Sequence, residues 1–218
     1  GALHSLPDQR VDLIKNEVLE VSRDVLIDFG AAVGNLIKEG QVYRLVLAGF
    51  LHVTLLHILM NTIFLLFFLI DSKKYIPNWH QLFFSFLLLQ VSLILLGFIL
   101  SVLCDKDNVT AGASAATFGI FGGFIAYLII NWKALERFGH IRSTLCCIIG
   151  IIVVFSFLFS MGESIDSIAH AGGLLGGVLI SLAILPGMEQ KNRILTIIGA
   201  VGISGLNLIL LLVFFLTD

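Results

Sequence analysis

Charge is scarce in this chain. Only 13% of its 218 residues are Asp, Glu, Lys or Arg, while 58% are hydrophobic and the mean hydropathy is +1.02. Soluble domains carry about 25% charged residues, so an ordinary soluble domain is excluded and an integral membrane protein is expected. There is no basic tract and the net charge is −2, so nothing in the composition invites nucleic acid. The three prolines, Pro7, Pro77 and Pro186, all fall at or outside the ends of apolar runs. The three cysteines, Cys104, Cys146 and Cys147, cannot all pair, and two of them lie in an apolar run, which argues against a disulfide framework. Residues 1–40 hold no apolar core typical of a signal peptide and the chain starts at Gly1 rather than methionine, so a processed or trimmed N-terminus is expected.

Long apolar runs are what the chain has in abundance. A bilayer needs about 20 apolar residues per helix, and six runs meet that need: 47–70, 82–103, 112–131, 144–161, 167–187 and 194–216. The fourth and fifth are separated only by Gly162-Glu-Ser-Ile-Asp166. The runs are too long for strands and show no alternation of period two. The expected fold class is all-α, a polytopic membrane helical bundle. In residues 8–29, Val11, Ile14, Val18, Val21 and Val25 recur at helical spacing among charged residues. That segment reads as an amphipathic helix in the membrane interface, or as a small soluble helix packed on a loop.

Lysine and arginine set the expected orientation. The connections 71–81, 132–143 and 188–193 carry seven of them (Lys73, Lys74, Lys133, Arg137, Arg142, Lys191, Arg193), whereas the connections on the opposite side, 104–111 and 162–166, carry only Lys106. Short basic loops stay cytoplasmic, so the N-terminal segment and the loop 104–111 face outside or into a lumen. An N-terminal segment already outside implies translocation or a preceding helix.

The polar residues that remain in the apolar runs are the functional candidates, because ionisable groups in hydrocarbon cost about 2.5–3.5 kcal/mol even on lenient scales. Ser114 stands in Gly112-Ala-Ser114, at the outer start of the third run, and His170 stands a few residues into the fifth from the same side. Serine beside histidine suggests acyl-transfer chemistry. His57 and Asn61 are four apart and share a helix face. Read as one helix from residue 47, the first run would put His57 roughly 15 Å deep and would turn His52 elsewhere, as a structural residue bonded to a loop. One histidine with one asparagine is no metal cage, so no metal and no cofactor are expected. The pair would suit donors to a developing oxyanion. Gly119-x-x-x-Gly123 and Gly173-x-x-x-Gly177 read as packing motifs that bring the third and fifth runs together.

Taken together these elements resemble the rhomboid family of intramembrane serine proteases. The first loop, Gly40-Gln41-Val-Tyr43-Arg44, resembles the family's Gly-x-x-Trp-Arg element. His52, His57 and Asn61 match its His-x4-His-x3-Asn spacing, Gly112-x-Ser114 its nucleophile motif, and His170-x-x-Gly173-x-x-x-Gly177 its histidine helix. Ala115 follows the serine where the family usually has glycine, Phe118 stands where many members have tyrosine, and Tyr43 stands where the loop element has tryptophan. The resemblance covers about residues 26–187 and implies a family helix ahead of this chain's first loop. The last run resembles the extra helix of many eukaryotic rhomboids. The expected division is 1–46 as N-terminal segment and first loop, 47–187 as catalytic core and 188–218 as the extra helix.

The resemblance implies Ser114 as nucleophile and His170 as general base, without a third acid. His57, Asn61 and the Ser114 N–H would form the oxyanion hole, supported by Gly112, Phe118, Gly173, Gly177, His52 and Arg44. Phe118 would stack on His170. Asp166, four residues before His170, reads as an N-cap outside the dyad. The implied partners are transmembrane protein substrates within the lipid bilayer, cut near the outer face of a plasma or secretory-pathway membrane. A rhomboid-fold pseudoenzyme is a rival that retention of Ser114 and His170 opposes. A transporter is another, opposed by the lack of mid-span acids and of runs broken at their centre.

Overall fold

The computed structural model describes residues 21–72, 95–159, 166–185, 187–188 and 193–216. Among these residues the architecture is helical, with one isolated antiparallel bridge between Ala32 and Thr110. Short helices α1 (Arg23–Asp28), α2 (Gly34–Lys38) and α3 (Arg44–Leu47), followed by a 3-10 turn at Ala48–Phe50, build the first loop. Longer helices follow: α4 (Leu55–Ser72), α5 (Leu95–Cys104), α6 (Ser114–Asn131), α7 (Gly139–Phe159), α8 (Ser167–Ile184) and α9 (Arg193–Leu216). Three of them, α6, α8 and α9, are long and apolar enough to cross a membrane. A fourth span arises if Arg44–Phe50 and Leu55–Leu66, bent by 92°, count as one.

That bend corrects the expected first span. The run 47–70 is broken near its start, because its apolar residues before Phe50 belong to the first loop. The chain is extended at Leu51 (φ −86°, ψ 149°) and α4 begins afresh where Thr54 Oγ1 accepts the His57 N–H at 3.0 Å. A threonine satisfying an otherwise unpaired N–H is an ordinary helix start, whereas hydropathy alone does not distinguish a lateral apolar segment from a spanning one. His57 therefore sits on the first turn of α4, and the depth of roughly 15 Å reckoned from residue 47 does not apply.

The N-terminal expectation is also revised. Helix α1 covers only Arg23–Asp28, and Val21 is not helical but donates its N–H to the Val53 carbonyl at 2.8 Å. Leu26 is the buried residue of α1, while Val25 is 43% exposed, the position that an apolar face turned to lipid would take. Residues 8–20 of that segment lie outside the described residues, as do 82–94 of the expected second span and 162–165 of the short outer cap. Helix α7 starts five residues ahead of the expected 144, since a helix needs no apolar residues to continue; the Ser143 and Thr144 hydroxyls are satisfied on the Gly139 and His140 carbonyls of the turn before.

Small residues bring the central helices together. A methyl group at Gly177 would collide with the Gly119 backbone, and one at Gly173 with the Ala115 carbonyl, so α6 and α8 meet backbone to backbone. On α6, Gly122 rather than Gly123 makes the other close approach, against Leu174 and Val178. Helix α5 enters the same junction: Gly97 packs on the Ala169 carbonyl and leaves room for the Ala115 methyl. That is how alanine is accommodated after Ser114, and Ala115 is fully buried. Helix α9 packs Gly199 on the backbone of α8 and sends Leu210 and Phe214 into a core shared with Ile37, Leu45, Phe98 and Ala115.

Candidate active site

Three segments converge on Ser114. Gly112 adopts φ +122°, a conformation that L side chains rarely take, and its N–H donates to the Ala48 carbonyl at 2.8 Å. The chain thereby turns sharply into α6 with Ser114 as its first residue. The glycine contact between α6 and α8 carries His170 to the same level, and His170 Nε2 lies 2.8 Å from Ser114 Oγ, hydrogen-bonding distance. Phe118, one turn along α6, stacks on the His170 ring at 4.2 Å between centroids and 11° between planes. The imidazole is thus held on its face by Phe118 and at its edge by the serine.

His57 closes the site from α4. A methyl at Gly112 would lie 2.7 Å from His57 Cε1, so the histidine rests on the glycine two residues before Ser114. His57, Ser114, His170, Thr110, Asp166 and Ala169 line one pocket of about 20 Å³. A single water needs about 10–15 Å³ of such space, so the pocket has room for one. Asn61, a turn below His57, is buried against α6, with Thr117 donating to its Oδ1 at 3.3 Å. Its Nδ2 is buried and has no partner among the described residues. A buried donor left unpaired costs about 1–3 kcal/mol, and Asn61 is not among the residues that line the pocket. Among the described residues no three His, Cys, Asp or Glu side chains gather as metal ligands.

His52 departs from expectation. The chain between Phe50 and Leu55 is not helical, so the helical angle that turned His52 away from His57 does not hold. The two rings meet edge to face at 5.2 Å. Both His52 nitrogens are buried; the Phe50 backbone is near, but no hydrogen bond of normal geometry forms. His52 buttresses His57 by ring contact. Arg44 is not among the pocket's lining residues. It is buried in the first loop, where Nη1 donates to the Ile27 and Ala31 carbonyls at 2.7 and 3.0 Å and Nε donates to Gln41 Oε1 at 2.7 Å. Gly40 turns the chain ahead of it with φ +98°.

The polar residues that sequence reasoning passed over lie around Asp166. As expected, Asp166 caps α8, accepting the Ala169 N–H at 2.8 Å. It also accepts from the Ser101 and Thr110 hydroxyls and from Asn108 Nδ2 at 3.1 Å. Thr110 in turn pairs its backbone with Ala32 through two bonds of 2.9 Å, which joins the loop 104–111 to the first loop. Ser101 inside an apolar run was the available signal.

Comparison with known proteins finds similarity over most of the chain. A profile described as the rhomboid domain matches residues 39–187. Rhomboid-like protease 2 of Toxoplasma gondii is 32% identical over 166 residues, 76% of this chain and 56% of that protein. RHOMBOID-like protein 7 of Arabidopsis thaliana is 30% identical over 193 residues, 85% of this chain and 58% of that protein. Inactive rhomboid protein 2 of Homo sapiens is 28% identical over 172 residues, 76% of this chain and 19% of that protein. The chain thus spans little more than half the length of the first two. Because the matched segment, residues 39–187, takes in every element that builds the pocket, the integral membrane protein described here belongs to the rhomboid family.

Proposed function

We propose that the chain is an intramembrane serine endopeptidase. The observation that carries the reading is the 2.8 Å approach of Ser114 Oγ to His170 Nε2 beneath the Phe118 stack. Ser114 Oγ attacks the scissile carbonyl carbon while its proton passes to His170 Nε2. The carbonyl oxygen becomes an oxyanion that the Ser114 N–H, His57 and Asn61 receive as donors. Collapse expels the amine, which takes the proton from His170. Water then hydrolyses the acyl-serine, with His170 again acting as base, and the pocket beside Thr110 and Asp166 supports water reaching the serine. The substrates are single-span membrane proteins, cut near the outer or lumenal face of a plasma or secretory-pathway membrane. The six-span bundle, the orientation with basic loops inside, and the division into 1–46, 47–187 and 188–218 belong to the same proposal.

A second reading, a rhomboid-fold protein that binds membrane clients without cutting, is favoured by the similarity to Inactive rhomboid protein 2. Cleavage of a model single-span substrate in liposomes decides between them. Ser114→Ala and His170→Ala each abolish cleavage on the first reading, and the double variant is no worse than either, since members of one catalytic unit act non-additively. Appreciable turnover by Ser114→Ala rules the nucleophile out, and an inert wild type leaves the second reading. The orientation is tested by Asp107→Cys and Ser164→Cys in a cysteine-free background, which react with an impermeant maleimide from outside. Lys73→Cys and Arg137→Cys react only after permeabilisation, and the reverse pattern overturns the assignment.

A further inference from the structure

The Ser114–His170 reading leaves one ionisable group of the pocket without a task. Asp166 lines the same pocket as Ser114 and His170. Its Oδ1 takes the Ala169 N–H at 2.8 Å, and its Oδ2 takes the Asn108 amide at 3.1 Å and the hydroxyls of Ser101 and Thr110. Capping alone needs one oxygen. The other is held by donors from α5 and from the outer loop, so the position of the carboxylate is fixed from three sides.

His170 is the fourth residue of the helix that Asp166 caps, Ser167 being the first. A helix N-terminus carries roughly half a positive charge, and its effect is felt within the first turn. When His170 takes the Ser114 proton, a cation forms in that first turn, where the helix opposes it. We propose that Asp166 is a positioning residue: its negative charge, clamped at the start of α8 by Ser101, Asn108 and Thr110, offsets the helix field on the imidazolium that His170 forms during attack. The inference rests on the dyad proposed above. It also gives the outer loop a task, because Asn108 and Thr110 hold the charge in place while Thr110 is itself tied to Ala32.

A bare N-cap predicts something different. Asparagine caps helices as well as aspartate does, and Ser and Thr hydroxyls can turn to accept from an amide while Asn108 flips to offer its oxygen. Asp166→Asn therefore keeps the cap and removes the charge. The expected result is a fall in kcat of about 5- to 30-fold with KM and melting temperature close to wild type. Asp166→Ala loses kcat and melting temperature together. Adding Asn108→Asp to Asp166→Asn returns a negative charge across the same hydrogen bond and recovers part of kcat, which carries the test even if the single variant melts lower. Turnover of Asp166→Asn within twofold of wild type overturns the inference, and so does a double variant that regains stability without regaining turnover. A wild type that neither cleaves substrate nor reacts with a fluorophosphonate defeats the dyad and this inference with it. An active wild type beside an indifferent Asp166→Asn defeats this inference alone.

Discussion

The two sides of α6 are built to different tolerances. Toward α8 it presents Ala115, Gly119 and Gly122, and a single methyl at the facing Gly173 or Gly177 would strike its backbone. Toward α4 it presents Phe121 and Thr117, and the contact consists of the Thr117–Asn61 bond and ring edges such as Phe64–Phe121 at 5.8 Å. Phe64 remains 41% exposed. Interiors packed backbone to backbone cannot yield by an ångström, whereas rings meeting at their edges can re-pack. The stiff side fixes the one distance on which the proposed chemistry depends, that between Ser114 and His170. The softer side carries Asn61, one of the proposed oxyanion donors.

Substitutions on the two sides should therefore differ in consequence. Gly177→Leu wedges α6 from α8, and misplacing reacting groups by an ångström costs on the order of 100-fold. Cleavage below about a hundredth of wild type, with a lower melting temperature in detergent, is the expected result, and near-normal turnover would show that this contact does not set the dyad. His57→Ala and Asn61→Ala remove the proposed oxyanion donors, so turnover should fall on the order of 10–1000-fold while substrate affinity changes little. An equal loss in affinity would mean that they bind the ground state instead. His52→Ala removes a ring that touches His57. Ring contacts are worth about 0.5–1.5 kcal/mol, so turnover should fall about 2- to 10-fold alongside a lower melting temperature. A loss matching that of His57→Ala at normal stability would place His52 itself among the donors. Phe64→Ala, on the yielding side, should stay within about threefold of wild type, the cost of one exposed ring edge. A loss as large as that of Gly177→Leu would erase the difference between the two faces.

Much of the stiff side was legible from sequence, because its determinants are local. Gly112-x-Ser114, the small residues four apart on α8, and Asp166 at a helix start each declare themselves within a few positions. Phe118 against His170 followed from the family resemblance. What sequence did not resolve depends on contacts between distant segments. Nothing local tells Gly122 from Gly123, since both are glycine and only the crossing of α8 selects one. The turn at residues 51–54 was hidden because the lateral segment before it is as apolar as the span after it, although Thr54 was an available start signal. The same turn brings His52 onto His57, where one continuous helix would hold the two rings apart. The gathering of Ser101, Asn108 and Thr110 on Asp166 joins residues up to 65 apart in sequence.

The central claim is that Ser114 is a nucleophile made reactive by His170. Reaction with a fluorophosphonate in a bilayer, followed by peptide mapping, tests it most directly. One modified residue, Ser114, is expected in the wild type, and loss of that modification in His170→Ala with the fold intact. An unmodified Ser114 in folded wild-type protein, or equal modification without His170, would contradict it.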